Sequence, residues 1–401
     1  MHGVAPRQTD YRRYFIAGAY LVALLLLLAW LGPLVAAQQP FRLVQSTLTG
    51  IMVGGVYALI ALGIVIINKS SGVFNFAHGW MMLIGGLIFY SFFVASEISV
   101  LAAAALSLIT VVLVLTTLGT GSLRQPRYLL GGLAAVVVLT AMMTVRLPEN
   151  SLSWLHAITG AVVGSVMLGL LIERFTIRPL IGQPLFTAIL MTLAVSEVLR
   201  GMTQLTWGSV QMNLPVFTEL NPLGIPQRVA PVRIDATETL GGMIIIDKAF
   251  LFAFVLALVA FVLFVLFFRF TNVGLAMRAV AESQPLAQSV GLRVRSVLAA
   301  AWAIAALLAT VGGVLLGGAT NLSLTLPFVA LRAFPAVLLG GLESIAGAFV
   351  GGLVIGLTEQ YATLLFPGTQ VGEQLAPYVI LMIVLVIRPD GLFGQKRIER
   401  I

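Results

Sequence analysis

The chain has 401 residues, 59% of them hydrophobic and 9% charged, with a net charge of +8, whereas a soluble domain carries roughly 25% charged residues. That balance excludes a soluble globular fold and predicts an all-α, polytopic integral membrane helical bundle. The positive excess is almost wholly arginine at the ends of apolar runs, so it reports orientation in a bilayer and gives no support to nucleic-acid binding.

Arg7, Arg12 and Arg13 hold the N-terminus in the cytoplasm, so a first span, about residues 14 to 37, leads outward. It is longer than the apolar core of a usual secretory signal, and a cleaved signal is the other option. Residues 1–47 are thus an N-terminal segment with an extra first span, ahead of a main membrane domain, 48–388. Spans follow at about 48 to 67, 78 to 95, 98 to 118, 128 to 145, 152 to 172 and 185 to 206. Between the first two of these, NKSSGVFNFA (68–77) breaks the apolar pattern with Lys, Asn, Ser and Gly. Arg124 and Arg127 lie in one connecting loop and RLPENS (146–151) in the next, and Glu173, Arg174 and Arg178 mark a return to the cytoplasm. A polar, Pro-rich stretch of about forty residues, 207–248, is the largest extracytoplasmic piece.

A span at about 249 to 268 then comes back to a basic loop, 269–295, RFTNVGLAMRAVAESQPLAQSVGLRVR. Ser283-Gln284-Pro285 reads as a helix start and Gly291 as its stop, which gives a short helix about 10 Å long on the cytoplasmic surface. An ordinary basic loop is the competing reading. A surface helix between spans suits a part that receives a push from another protein. After a span at about 296 to 318, two termini on one side require an even number of crossings. Thr325–Gly340, with two prolines and Arg332, must therefore cross as a broken helix buried among its neighbours. Spans at about 345 to 366 and 374 to 388 bring the total to about twelve, and the basic tail, 389–401, ends inside.

Polar groups at membrane depth point to function, because they are costly there and face an interior or a cavity. Glu197 and Arg200, three apart on one helix face, either neutralise each other or line a path. Glu359 lies inside its span with no obvious partner in the sequence. Glu343 sits in the glycine-rich turn LLGGLESIAGA, where solvation would also explain it. Asn75 and His78 flank the break after the 48–67 span, where a lone His is commonly a hydrogen-bonded structural residue. The two irregular segments, near 70 to 78 and 325 to 345, fall in the two halves of the chain, the pattern in which transporters place a substrate path. Asn75, His78, Glu197, Glu343 and Glu359 are accordingly the path candidates. Small-xxx-small spacings at Gly50/Gly54, Gly160/Gly164, Gly313/Gly317 and Gly352/Gly356 mark positions where helices can approach closely.

Other chemistry is missing from the sequence. With no cysteine and with His2, His78 and His156 scattered, no metal site is expected. No phosphate-binding loop, HExxH motif or hydrolase elbow occurs, so the chain is not expected to be an enzyme or to bind ATP itself. An active transporter with these gaps draws its energy from elsewhere.

Four blocks carry a family resemblance: GVYALIALGIVIINKSSGVFNFAHG (55–79), ERFTIRPLIGQP (173–184), RAVAESQPLAQSVGL (278–292) and LRAFPAVLLGGLESIAGAFVGGLVIGLTE (331–359). In this order they resemble the membrane subunit of bacterial ABC importers of the branched-chain amino acid type, and the NFAHG block resembles the first of the two permease types. The resemblance implies two related halves and pairing with a second homologous permease, or a second copy. It also implies two cytoplasmic ATPase subunits that use ATP and Mg, a periplasmic substrate-binding protein, and residence in the bacterial inner membrane. Cargo would be branched-chain or other small hydrophobic amino acids, or related amides or urea. The surface helix matches the family's coupling segment, with Arg278, Ala279, Ala287 and Gly291 at matching positions and Glu282 at a commonly acidic one. Ser283 stands where the family usually has Asn, and keeps the capping ability. Trp80 stands where an acidic residue is usual, and Glu343 and Ala346 replace Gly and Pro. Three apolar runs occupy a region where the family has one, which looks like an inserted helix pair near 98 to 145. An ion- or proton-coupled carrier working alone, with Glu197 or Glu359 titrating, remains the alternative, and a non-transporting scaffold a third.

Overall fold

A computed structural model describes residues 32–94, 98–117, 121–144, 153–220, 226–368 and 374–394, together with Ala29 and Gly119. Most of the first expected span, the RLPENS loop and the last residues of the basic tail lie outside these. Among the described residues, eight helices are long and apolar enough to cross a membrane, and three shorter apolar helices accompany them. The protein is a polytopic helical membrane bundle.

Its centre is α1 (Pro40–Ser71), which has no polar face: every residue from Met52 to Ile67 is buried. A helix apolar all round belongs inside a bundle. The first half continues with α2 (His78–Phe93), α3 (Val100–Thr117), α4 (Pro126–Thr144), α5 (Ser153–Ile172) and α6 (Leu185–Trp207). The second half comprises α7 (Lys248–Phe270), α8 (Asn272–Glu282), α9 (Gln284–Ser289), α10 (Val294–Ala319), α11 (Leu326–Leu331), α12 (Ala333–Gly340), α13 (Ile345–Leu365) and α14 (Ala376–Ile387). The packing repeats between the halves. α1 lies on α13 as α10 lies on α5, and α2 packs on α5 and α6 as α12 packs on α13 and α14.

The small-residue positions are where helices meet. A Cβ on Gly54 would lie 2.9 Å from the Gly352 carbonyl oxygen and the Leu353 Cα, and one on Gly356 would lie 2.5 Å from the Gly54 Cα. Gly50/Gly54 and Gly352/Gly356 are therefore two sides of one contact between α1 and α13, with backbone against backbone. Gly160 and Gly164 of α5 receive Phe92 and Ile88 of α2, and Gly313 of α10 meets the Met82 carbonyl. The alanine stripe of α7, Ala249, Ala253 and Ala257, is fully buried while the opposite face is exposed.

The polar stretch after α6 forms two antiparallel hairpins: β1 (Thr218–Leu220) with β2 (Pro226–Arg228), and β3 (Val232–Ala236) with β4 (Gly242–Ile246). Asp235 accepts from the Thr237 N–H and hydroxyl, which hold its carboxyl below the usual range and close the turn between β3 and β4. Gly242 abuts Phe41 at the start of α1, and Phe217 abuts Gly318 at the end of α10, so α1 and α10 run antiparallel from this hairpin end. At the opposite end Gln284 meets Ser70, and Lys69 donates to the Glu343 carbonyl at 3.0 Å. The segment that holds the broken helix joins the two ends: Leu322, just before the helix, exchanges backbone hydrogen bonds with Met212 at the hairpin end. Gly340, at its close, accepts from Phe393 N–H at the other end.

Gly352→Ala should cost about 1–3 kcal/mol by overpacking, since its Cβ would sit 2.5 Å from the Ala58 nitrogen. Gly201→Ala on α6, where a Cβ meets nothing within 4 Å, should be neutral or gain up to about 1 kcal/mol of helix propensity. Thermal midpoints of the purified protein in detergent should fall for the first and hold or rise for the second.

Candidate functional site

Gly72, in the left-handed conformation at φ 70°, caps α1 by donating to the Asn68 carbonyl at 2.7 Å. The chain then turns back into the bundle without helix, which frees backbone groups that lipid cannot satisfy. Thr192 of α6 supplies partners: its hydroxyl donates to the Phe74 carbonyl at 3.1 Å and accepts from the Phe76 N–H at 3.3 Å. Asn75 is wholly buried and faces its own turn, its side-chain oxygen accepting from the Ala77 N–H at 3.0 Å and its amide facing the Met81 sulfur. Helix α2 therefore begins at depth. His78 packs against Gly63 of α1, two turns before that helix ends, or roughly 12 Å from it at 1.5 Å per residue. Its placement is fully buried instead of near an interface, and the Ile60 backbone of α1 is the polar group beside its ring.

The second irregular segment meets the first there. A Cβ on Gly79 would lie 2.6 Å from the Pro327 carbonyl oxygen, so the starts of α2 and α11 abut inside the bundle. Beside this junction opens a cleft of about 410 Å³. Phe76, Gly79 and Trp80 form one wall; Pro327, Phe328, Leu331 and Phe334 form the second; Leu193, Ser196, Glu197 and Arg200 of α6 form the third, and Tyr378 of α14 closes one corner. Phe74 packs against Phe76 and Phe334 of the first two walls, with the three ring centroids 5.1 to 5.6 Å apart. Glu197 and Arg200 reach each other at 3.5 Å, with 70% and 48% of their side chains exposed.

Glu359 has a partner that sequence order hides. One carboxylate oxygen accepts from Arg332 at 2.7 Å, and the other from the Tyr57 hydroxyl at 2.8 Å. Arg332 occupies the joint between α11 and α12, so this buried group ties the break in the helix to both central helices. Glu343 lies outside the cleft, exposed at the end opposite the hairpins.

At that same end, the 269–295 loop holds two helices where the sequence predicts one. The Thr271 hydroxyl caps α8 by accepting from Gly274 N–H at 3.0 Å, and Gly274, Met277 and Val280 bury one face of it. Ser283 caps α9 through Leu286 N–H at 3.3 Å, and Gly291 ends it at φ 86°. Arg278 donates to the last carbonyls of α7, those of Phe268 and Arg269, and its guanidinium lies 5.4 Å from the Phe268 ring centre. Ala287 is buried and Ala279 half-buried, while Glu282 faces outward. Gln284 donates to the Ser70 carbonyl at 3.3 Å, which links α9 to the end of α1. Sequence spacing also hides a buried pair nearby. Glu173 and Arg178 lie across one π-helical turn, bonded at 2.9 and 2.7 Å, and Arg174 donates to Thr116 of α3 at 2.6 Å.

The family model described as branched-chain amino acid transport system / permease component matches residues 126–387. The chain belongs to this permease family. Similar proteins include the high-affinity branched-chain amino acid transport system permease protein LivH of Escherichia coli K12, 25% identical over 91% of this chain and all of that protein. Another is BraD of Pseudomonas aeruginosa, 27% identical over 90% of this chain and 99% of that protein. A probable branched-chain amino acid transport permease protein LivH of Methanocaldococcus jannaschii is 28% identical over 80% and 96%. These relatives are transport permeases, not enzymes. No solved structure matches the chain.

In this permease the four motif blocks are spatial neighbours. Residues from 55–79, 173–184 and 278–292 surround a second cavity of about 230 Å³ beneath α9, lined among others by Gly72, Ile177, Gln183 and Gln284. The fourth block supplies Arg332, Phe334 and Glu359. Of the departures from the family pattern, Trp80 lines the cleft.

Removing one partner of the buried group, as in Arg332→Met or Glu359→Gln, should destabilise by about 3–5 kcal/mol. Arg332→Met combined with Glu359→Leu leaves no unpaired charge and should recover much of that loss. A double-mutant cycle on detergent-solubilised protein, read by thermal midpoint, measures both.

Proposed function

We propose that the chain is the pore subunit of an ATP-driven importer of branched-chain or other small hydrophobic amino acids, or related amides or urea. It works with two ATPase subunits that carry ATP and Mg, a second homologous permease or second copy, and a periplasmic binding protein. The observation that carries this reading is the bond from Gln284 to the Ser70 carbonyl. It joins an exposed surface helix to the end of α1, where the chain turns inward toward the cleft.

On this reading α9 and α8 face the cytoplasm and receive the ATPases. Leu286 and Val290 are 64% and 71% exposed and offer an apolar face, with Glu282 beside it. Arg278 makes the pair rigid with α7, Ser283 and Gly291 set the length of α9, and Ala279 and Ala287 pack it down. A push on α9 then reaches the 72–77 segment through Ser70, and rocks it against α11 at the Gly79–Pro327 contact. Access to the cleft alternates as the partners bind and hydrolyse ATP. The helix pair α3–α4 is an insertion that leaves the later orientation unchanged. Residues 389–394 lie at the same end as α9, consistent with a cytoplasmic C-terminus. The hairpins then face the periplasm and the binding protein.

A carrier working alone requires a carboxylate free to titrate; Glu359 already bonds Arg332 and Tyr57, which leaves that role to Glu197. Gly291→Val forces a β-branched residue into a positive φ at a cost of order 1–3 kcal/mol. It should lower binding-protein-stimulated ATP hydrolysis and uptake together in the assembled complex. Stimulation equal to the unmodified complex would remove α9 from the coupling route, and uptake by the chain alone under a pH gradient would establish the carrier instead.

A further inference from the structure

The Glu197–Arg200 pair lies in an unusual place. Both residues sit near the middle of α6, a span of 23 residues, yet their side chains are 70% and 48% exposed, whereas the Glu173–Arg178 and Glu359–Arg332 pairs are largely buried. Charges on a span do not face lipid, so the face that carries them borders the aqueous cleft, which their side chains line. The pair is loose, at 3.5 Å. Opposite stand Trp80, Phe328 and Phe334, an apolar and aromatic wall. The cleft volume, about 410 Å³, lies within the range of small-molecule sites, roughly 300–1,000 Å³.

We propose that Glu197 and Arg200 read the zwitterionic head of the transported solute, Glu197 taking the ammonium group and Arg200 the carboxylate, while the solute's apolar side chain lies against Trp80, Phe328 and Phe334. This rests on the importer reading above and assigns the contact residues within it. The physical basis is an exchange of partners. Before the solute enters, each protein charge is compensated by the other; with the solute present, each is compensated by one end of it. No charge stands alone at either stage. A solute with only one of the two ionic groups would leave either Glu197 or Arg200 uncompensated once it fills the cleft and displaces the water there, which is the expensive case. Arg also offers a planar two-pronged donor to a carboxylate. The pair thus selects against singly charged molecules by the charge they would strand.

The test uses the complete complex in liposomes with leucine as probe, uptake and ATP hydrolysis being measured together. Glu197→Gln and Arg200→Gln should each reduce leucine moved per ATP hydrolysed by about tenfold or more, the size expected from one stranded charge. The exchanged pair, Glu197→Arg with Arg200→Glu, stays compensated and fits a zwitterion turned end for end, so it should recover most of the loss. Arg127→Gln, at the exposed start of α4, should leave the ratio unchanged and controls for general charge effects. An unaltered ratio in the single variants, or an exchanged pair no better than they are, overturns the assignment. Absence of ATP-driven uptake in the unmodified complex, measured first, overturns the importer reading instead.

Discussion

Glycines at 54, 352 and 356 let α1 and α13 approach until the backbone of one helix touches the backbone of the other. In lipid no hydrophobic driving force holds helices together, so close van der Waals contact of this kind supplies much of the cohesion. It also fixes where polar groups on the two helices can meet. The two helices run antiparallel, so Tyr57 and Glu359 lie on opposite sides of the Gly54–Gly356 contact, and their long side chains meet across it at 2.8 Å. Arg332 completes the group from the joint of the broken helix. The Glu359 charge is admitted to the interior because two side chains, Arg332 and Tyr57, compensate it, and the break in α11–α12 is admitted because that charge anchors it.

The two interrupted segments solve the same problem by different means. After α1 the chain loses helical hydrogen bonds, and a single hydroxyl, Thr192, serves two of the orphaned backbone groups while Asn75 serves a third. After α10 the chain borrows from the hairpin end, where Met212 and Leu322 pair as a minimal β-bridge. Each break is therefore supported by residues of another element, α6 for the first and the segment before the hairpins for the second. The supporting residues include α6, which also carries Glu197 and Arg200, so the cleft and the breaks that border it share a wall. His78 is a third polar group at this depth, a buried imidazole whose polar neighbour is the Ile60 backbone of α1.

Beneath α9 the design is looser. A cavity of about 230 Å³ separates it from the turn after α1 and from the Glu173–Ile177 π-turn, and the bond from Gln284 to Ser70 spans its edge. A rigid junction would be filled; a space lined by three of the family's motif blocks leaves room for movement of α9 against the bundle. The π-turn is held on the other side by Arg174 and Thr116, so α3 braces the fixed part of this junction. On the importer reading, motion enters on the free side of the cavity.

The sequence by itself determined the class, the family, the order of the helices and most of their ends. Apolar runs of span length cannot be anything but membrane helices, and Gly72, Ser283, Pro285 and Gly291 act through local backbone geometry that needs no tertiary context. The close-approach glycines were also legible as positions, and so was the traverse of the second broken helix. What the sequence did not contain was the identity of partners. Which glycine pair meets which, that Glu359 meets Arg332 and Tyr57, that His78 starts a helix deep in the bundle, and that Glu173 pairs with Arg178 across a π-turn were decided by packing. The reason lies in the solvent. In water, the alternation of polar and apolar residues marks which face of a helix turns inward, but in a bilayer the buried face and the lipid face are both apolar. The pattern that would have named the contacts is therefore erased, and only the folded bundle restores it.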